Sequence, residues 1–160
     1  MLTEREILSV VEMLQNEHLD VRTITLGINL FDCASHDLYT FKQNILKRIY
    51  GVAGDLVKIC GEVEGKFGIP IVNKRISVSP IAVVGAPFSP SQFVEVAKTL
   101  DHAAEHANVD FIGGFSALVE KGTAKGDRAL IDAIPQALAE TQRVCASVNV
   151  VSTKDRKSVV

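Results

Sequence analysis

The stretch that decides the fold is Arg22-Thr-Ile-Thr-Leu-Gly-Ile-Asn-Leu30. Because the side chains of a β-strand alternate between its two faces, this stretch predicts a strand with two unlike faces. One face holds the apolar residues Ile24, Leu26, Ile28 and Leu30. The other face holds the small or polar residues Thr23, Thr25, Gly27 and Asn29. Helices can cover the first face, whereas the second has the character of a cavity lining or of a surface that meets more protein.

Two later stretches have the same two-faced pattern, although helical segments connect them. The predicted strand after Pro70 places Ile76, Val78 and Pro80 opposite Arg75, Ser77 and Ser79, and we expect it to continue through Val84. The final predicted strand, 144 to 151, places Val144, Ala146, Val148 and Val150 opposite Cys145, Ser147 and Asn149. Strands joined by helices should be parallel and covered on both faces, so they normally read as unbroken apolar runs. The alternation therefore predicts one face that the helices of this chain do not cover.

Helical segments with apolar residues at helical period precede each strand. Thr3 and Glu6 predict a capping box for a first helix that ends near Glu17, before a turn at 18–20. The other predicted helices run from Ser35 or Asp37 to about Gly65 (through Gly51 and Gly54), from Ser91 to Ala107, and from Asp127 to Thr141 through Pro135. The third strand is expected at 109–115. This order predicts an α/β fold with a mainly parallel sheet and right-handed helical crossovers.

Composition limits the class of protein. The 160 residues predict a single domain over 1–151 with a tail at 152–160. The net charge is −2 and the basic residues are scattered, which argues against a nucleic-acid or anionic-membrane partner. No apolar run reaches the roughly 18 residues of a membrane span, and the N-terminus lacks a signal-peptide layout. Three widely spaced cysteines predict neither a disulfide framework nor a zinc site, so we expect a cytoplasmic protein without a metal.

Four sequence blocks support a family resemblance. They are Asp20-Val-Arg-Thr-Ile-Thr-Leu-Gly-Ile-Asn29, Gly68-Ile-Pro-Ile-Val-Asn-Lys-Arg-Ile-Ser-Val-Ser-Pro80, Asn108-Val-Asp-Phe-Ile-Gly-Gly-Phe-Ser-Ala-Leu-Val-Glu-Lys-Gly122 and Ala139-Glu-Thr-Gln-Arg-Val-Cys-Ala-Ser-Val-Asn149. Together they resemble the N-terminal part of the bacterial uncharacterised protein family 0210 (domain of unknown function 711). The resemblance implies one half of an α/β barrel like that of pyruvate formate-lyase, without glycyl-radical chemistry and with no cofactor identified. Members of that family are much longer, so we expect a truncated chain whose polar strand faces line the barrel.

The candidate ligand-binding residues lie on the polar strand faces and near paired glycines. Asn29, Arg75, Ser77 and Asn149 could converge on a small polar or anionic molecule, or could hydrogen-bond to one another and to buried water. Gly113, Gly114 and Ser116 are expected at the C-terminal end of a parallel strand, where ligands bind in α/β folds. Close packing of the glycines is the alternative for that segment.

Two further patterns in the sequence are weaker. His102 and His106 have a spacing that can hold a metal, but their helix face predicts solvent exposure. Cys33 follows the first strand and would need a base such as His36 to act as a nucleophile.

Two functions therefore remain open. The first is an enzyme of unknown reaction that binds a small polar or anionic substrate. The second is a non-catalytic ligand-binding or oligomer-forming structural protein. Because one sheet face would otherwise be wet, we expect a homodimer or higher oligomer.

Overall fold

Four parallel strands form one sheet, with β1 (Val21–Ile28), β2 (Ile71–Val78), β3 (Phe111–Leu118) and β4 (Val144–Asn149) in consecutive order. The computed structural model describes residues 3–15 and 21–151. Its helices are α1 (Glu4–Gln15), α2 (Leu38–Ala53), α3 (Leu56–Phe67), α4 (Ile81–Val84), α5 (Pro90–His106) and α6 (Lys125–Ala139), with a 3₁₀ turn at Phe31–Cys33. The predicted α/β class with a parallel sheet is confirmed. None of the helices in these ranges is long and apolar enough to cross a bilayer.

The helices cover one face of the sheet. Consecutive parallel strands joined by crossovers of one hand place every connecting helix on the same side. Ile28, Ile76 and Ile112 on that side are buried, and Phe115 is fully so. Their odd-numbered neighbours on β1 and β2, such as Gly27 and Ser77, are exposed. The two-faced strands predicted from the alternation are therefore present.

One extra residue interrupts the alternation of β3. Gly113 pairs with Cys145, but the next pair along β4 joins Ala146 to Phe115, so Gly114 has no partner on β4 and forms a bulge. Gly114 has φ +111°, a conformation that residues with a Cβ rarely adopt. A Cβ at this position would lie 2.5 Å from Val78 Cγ2 and closer still to the Val78 carbonyl oxygen. The bulge returns Phe115 to the buried face, and only glycine fits there.

The bulge also explains why the predicted limits of β3 were wrong. The expected strand, 109–115, ended where the alternation shifts, whereas β3 continues to Leu118. Gly113 and Gly114 therefore lie in the first half of β3 and not at its C-terminal end. The ligand-binding argument based on the end of a strand does not apply to them.

The predicted long helix from Asp37 to Gly65 is two helices. The first begins after Asp37, one of the two predicted starts, and the Asp37 carboxylate caps it by accepting a hydrogen bond from the Thr40 N–H at 2.8 Å. The helix breaks at Asp55, whose ψ of 2° departs from helical geometry. Gly54 and Asp55 both have low helix propensity, which makes this the weakest point of the segment. Gly51 meets no other element, because a Cβ there would have no atom within 4 Å.

The expected continuation of the second strand through Val84 was also wrong. Pro80 has no N–H to donate to a neighbouring strand, and residues 81–84 instead form α4, in which the Val83 N–H donates to the Pro80 carbonyl at 3.0 Å. α6 runs through Pro135, as predicted, and Asp127 Oδ2 accepts the Ala124 N–H at 2.8 Å at its start. The predicted helix end near Glu17, the turn at 18–20 and the tail at 152–160 lie outside the described residues.

Replacing Gly114 by alanine should destabilise the protein by about 2 kcal/mol or more, since positive φ and the contact with Val78 both oppose a Cβ. Gly113→Ala is the matched control, because its nearest non-neighbouring atom would be the Ile76 carbonyl oxygen at 4.0 Å. The control should change stability by less than about 1 kcal/mol. Urea unfolding followed by circular dichroism measures both. Equal stability of the two variants would contradict the bulge.

Candidate functional site

The side of the sheet opposite the helices is the largest candidate surface, and we call it the open face. Register and alternation place on it Thr23, Thr25 and Gly27 from β1, Asn73, Arg75 and Ser77 from β2, Phe111, Gly113, Ser116 and Leu118 from β3, and Cys145, Ser147 and Asn149 from β4. The crossover helices α2 to α6 all lie on the other side when their crossovers have the same hand. Its residues are mainly small or polar, as the sequence predicted.

Arg75 lies near the middle of the open face, with Thr25 beside it on β1 and Phe111 beside it on β3. The guanidinium carbon lies 5.2 Å from the centroid of the Phe111 ring, so the two side chains stack. Arg75 Nε is buried and has no hydrogen-bond partner among the described residues. A buried donor without an acceptor costs about 1–3 kcal/mol. This geometry therefore favours an acceptor supplied by a ligand or by further protein.

A row of small residues runs across the sheet beside Arg75. Gly27, Ser77, Gly113 and Cys145 are in register on the four strands. None of them has a side chain larger than a thiol, so the row has little side-chain volume next to the guanidinium.

The structure brings together only part of the predicted site. Arg75, Ser77 and Gly113 lie within one neighbourhood, but Asn29 and Asn149 lie beyond opposite edges of it. β1 and β4 are separated by three interstrand spacings of about 4.8 Å, which puts them about 14 Å apart. Alternation shows which face a residue occupies, but it does not show which strands are neighbours.

Three of the predicted residues make local hydrogen bonds. Asn29 Oδ1 accepts the Phe31 N–H at 2.8 Å and the Ser79 hydroxyl at 3.4 Å, in the turn that follows β1. The Ser116 hydroxyl donates to the Gly114 carbonyl at 3.3 Å and is buried beside the bulge. The Asn149 backbone carbonyl accepts the Val119 N–H at 2.9 Å, which extends the β3–β4 pairing. Asn29 and Ser116 therefore already have protein partners.

Sequence reasoning missed two residues. Phe111 stacks on Arg75, but its position could be recognised only with the correct start of β3. Glu120 follows β3 and has a buried carboxylate oxygen, Oε2, without a hydrogen-bond partner in the described part of the chain. No local motif in the sequence marks this residue.

Cys33 and His36 do not form a nucleophile and base pair. Burial raises the pKa of the Cys33 thiol, and the nearby Arg48 charge only partly offsets this effect. The thiol therefore stays protonated near neutral pH, whereas catalysis requires the thiolate. Cys33 lines one cavity, and His36 lines a different one of about 220 Å³ together with Ser35 and Pro87.

The two histidines of α5 contact a tyrosine. The Tyr50 hydroxyl lies 3.0 Å from His102 Nδ1, and the Tyr50 and His106 rings lie 4.1 Å apart. Within residues 3–15 and 21–151, no group of three or more His, Cys, Asp or Glu side chains could hold a metal ion. These contacts join α2 to α5.

Thiol labelling tests whether the open face is accessible. Cys145 is exposed on this face, whereas Cys33 and Cys60 are buried. We expect one thiol of the native protein to react rapidly with an uncharged alkylating reagent and all three to react in denaturant. Mass spectrometry should find no fast label in Cys145→Ser. A slow native Cys145 would show that another surface covers the open face.

Comparison with known proteins gives a consistent result over nearly the whole chain. A family model described as Uncharacterised ACR (DUF711) matches residues 12–156. The UPF0210 protein of Desulfovibrio desulfuricans is 63% identical over 154 residues, which are 96% of this chain and 33% of the relative. The UPF0210 proteins of Lachnoclostridium phytofermentans and Methanosarcina mazei are 56% and 51% identical and are each covered over 34% of their length. The chain thus spans about a third of the length of these curated relatives.

Proposed function

The chain belongs to the DUF711 (UPF0210) family, as the four sequence blocks predicted, and we propose that its open face forms one wall of a cavity that binds a small polar or anionic molecule. The observation that carries this proposal is the stacked Arg75 side chain with its buried, unpartnered Nε. A ligand acceptor at this position removes the cost of the unsatisfied donor.

The chemistry of the guanidinium favours a carboxylate or phosphate group. Arginine presents its N–H donors in a planar fork that matches two oxygens of such groups. Stacking on Phe111 restrains the plane of this fork, so less conformational freedom is lost when a ligand binds. The row of small residues through Ser77 and Gly113 has little side-chain volume, which suits the rest of a compact ligand.

Further residues of the longer family members would supply the opposite wall. Parallel sheets are almost always covered on both faces, and here the helices of this domain cover one. The relatives are about three times as long as the matched segment, which is enough chain for a second layer. This arrangement is the barrel that the family resemblance implies, used without glycyl-radical chemistry. In an enzyme of this design, Arg75 would hold the substrate by its charged group.

Binding by a full-length relative that has arginine at the position aligned with Arg75 tests the proposal. Replacing that arginine by glutamine should weaken the binding of succinate or phosphate about tenfold or more, since hydrogen bonds to charged groups contribute about 1.5–3 kcal/mol. Isothermal titration calorimetry measures the affinity. The matched control replaces an exposed arginine, at the position of Arg128 on α6, by glutamine. Unchanged affinity in a variant that keeps its melting temperature would refute the role of Arg75.

A non-catalytic, self-associating protein is the second candidate. Phe111 and Leu118 are both on the open face and remain 37% and 41% exposed, so the face has apolar groups that another protein surface could bury. A homodimer or higher oligomer through this face would cover the sheet without any ligand.

Light scattering on a sizing column distinguishes the second candidate from the first. If the open face is a protein interface, the 160-residue chain should elute as a discrete oligomer, and Leu118→Lys should convert it to a monomer, because a charge replaces a buried apolar contact. Leu138→Lys on α6 is the control, since Leu138 is also 41% exposed but lies on the helical side. A monomeric wild-type chain would exclude this candidate for the domain alone.

A further inference from the structure

The cavity that Cys33 lines is on the helical side of the sheet, away from the open face. It has a volume of about 380 Å³ and is lined by Asp32, Cys33, Asn44, Lys47, Arg48, Gly51 and Val52. We call it the α2 cleft. It forms between the 3₁₀ turn that follows β1 and one side of α2. The turn extends from the C-terminal end of a parallel strand, which is the edge where α/β sheets bind ligands.

The helical period of α2 accounts for the wall of the cleft. The buried stripe of α2 consists of Phe41, Ile45, Ile49 and Ala53. Asn44 and Arg48 each precede a residue of this stripe by one position, and Gly51 follows Ile49 by two. These cleft residues therefore form the strip of the helix next to the buried stripe. Asn44 Nδ2 donates to the Cys33 carbonyl at 3.3 Å, which ties the turn to α2. The cleft therefore has two walls that are held together.

Ion pairs hold some cations of the described chain, but not those of the cleft. Lys42 and Lys98 pair with Glu95, at 3.3 Å and 3.1 Å, and Lys74 lies 3.6 Å from Glu64. Lys47 and Arg48, in contrast, have no carboxylate within 4 Å among the residues that the structure describes.

The other cleft residues leave a net positive charge. Asp32 is the one acidic residue in the lining. The Cys33 thiol stays neutral because burial raises its pKa. Two cations and one carboxylate therefore face the same small space.

We propose that the α2 cleft binds a small anion with a carboxylate or phosphate group, held by Lys47 and Arg48. Arg48 provides the planar donors that such a group accepts, and Lys47 provides a second charge one residue earlier. The backbone at Gly51 leaves the cleft open, since a Cβ there would have no atom within 4 Å. This proposal stands independently of the role of Arg75, because the sheet separates the two sites.

A charge-matched pair of double variants tests the cations. Lys47→Gln with Arg48→Gln removes both cleft cations, and Lys58→Gln with Arg128→Gln removes two exposed cations of α3 and α6. Both change the net charge equally. The 160-residue chain is titrated with inorganic phosphate and separately with lactate, and backbone amide shifts are followed by NMR. We expect saturable shifts at Cys33 and Asn44 that weaken about tenfold or more only in the cleft variant.

Steric closure of the cleft is a second test that does not depend on charge. Gly51→Leu should fill the cleft and remove binding, while the helix tolerates leucine better than glycine. Gly61→Leu on α3 is the control, because a Cβ there also meets no atom within 4 Å. Circular dichroism and thermal melting confirm that both variants are folded.

The possible outcomes of these two tests distinguish binding in the cleft from non-specific charge attraction. Loss of binding in both cleft variants, with both controls unchanged, supports the site, and the probe that binds identifies phosphate or carboxylate as the preferred group. An equal loss in the two double variants would show non-specific charge attraction and overturn the proposal. Unaltered affinity in Gly51→Leu, or the absence of saturable shifts with either anion, would overturn it too.

Discussion

The packing of helices against only one face of a parallel sheet is the constraint on which the rest of this structure depends. Consecutive strand order brings all the crossovers to the same side, so each strand needs one apolar and one water-compatible face. Isoleucines such as Ile28 and Ile76 fill the first face, whereas glycine and serine at positions 27 and 77 occupy the second. The polar face is thus a direct consequence of the topology and not a local exception to it.

The helical side is held mainly by packing rather than by its ion pairs. The rings of Phe41, Phe88, Phe93 and Phe115 contact one another in sequence at 5.0, 6.2 and 6.4 Å, linking α2, α5 and β3. Lys98 bridges α5 and α6 through Glu140 at 2.7 Å, but exposed ion pairs of this kind contribute little stability. The four aromatic rings therefore hold the helices against the sheet, whereas the charged residues lie on the outer surface of the helical layer.

Local patterns predicted the parts of the fold that depend on neighbouring residues. The alternation of β1 and β2 and the start of α2 near Asp37 are local, and each was predicted from the sequence. The bulge at Gly114 was not, because its cause is the approach of Val78 from another strand. The break before α3 was missed because the apolar stripe continues across it, although Asp55 is a poor helix former.

The residues of the candidate site also divide into those that local sequence patterns predict and those that they do not. Alternation placed Arg75 on the polar face, but only the register with β3 shows that Phe111 stacks on it. Asn149 lies on the same face as Arg75 but too far from it. The sequence did not predict this separation, because no local pattern gives the order of the strands in the sheet. Arg48, which the proposed cleft site uses, has no sequence signal, because a basic residue on a helix flank is ordinarily a solvated one.

Unpaired cations on both sides of the sheet suggest two binding events that do not compete. Arg75 projects from the open face, while Arg48 belongs to the strip of α2 on the helical side. A hydrogen bond links the turn beside the α2 cleft to the end of the strand that carries Arg75. The Leu30 N–H, at the start of this turn, donates to the Ser79 hydroxyl at 3.1 Å, and Ser79 directly follows the strand that carries Arg75.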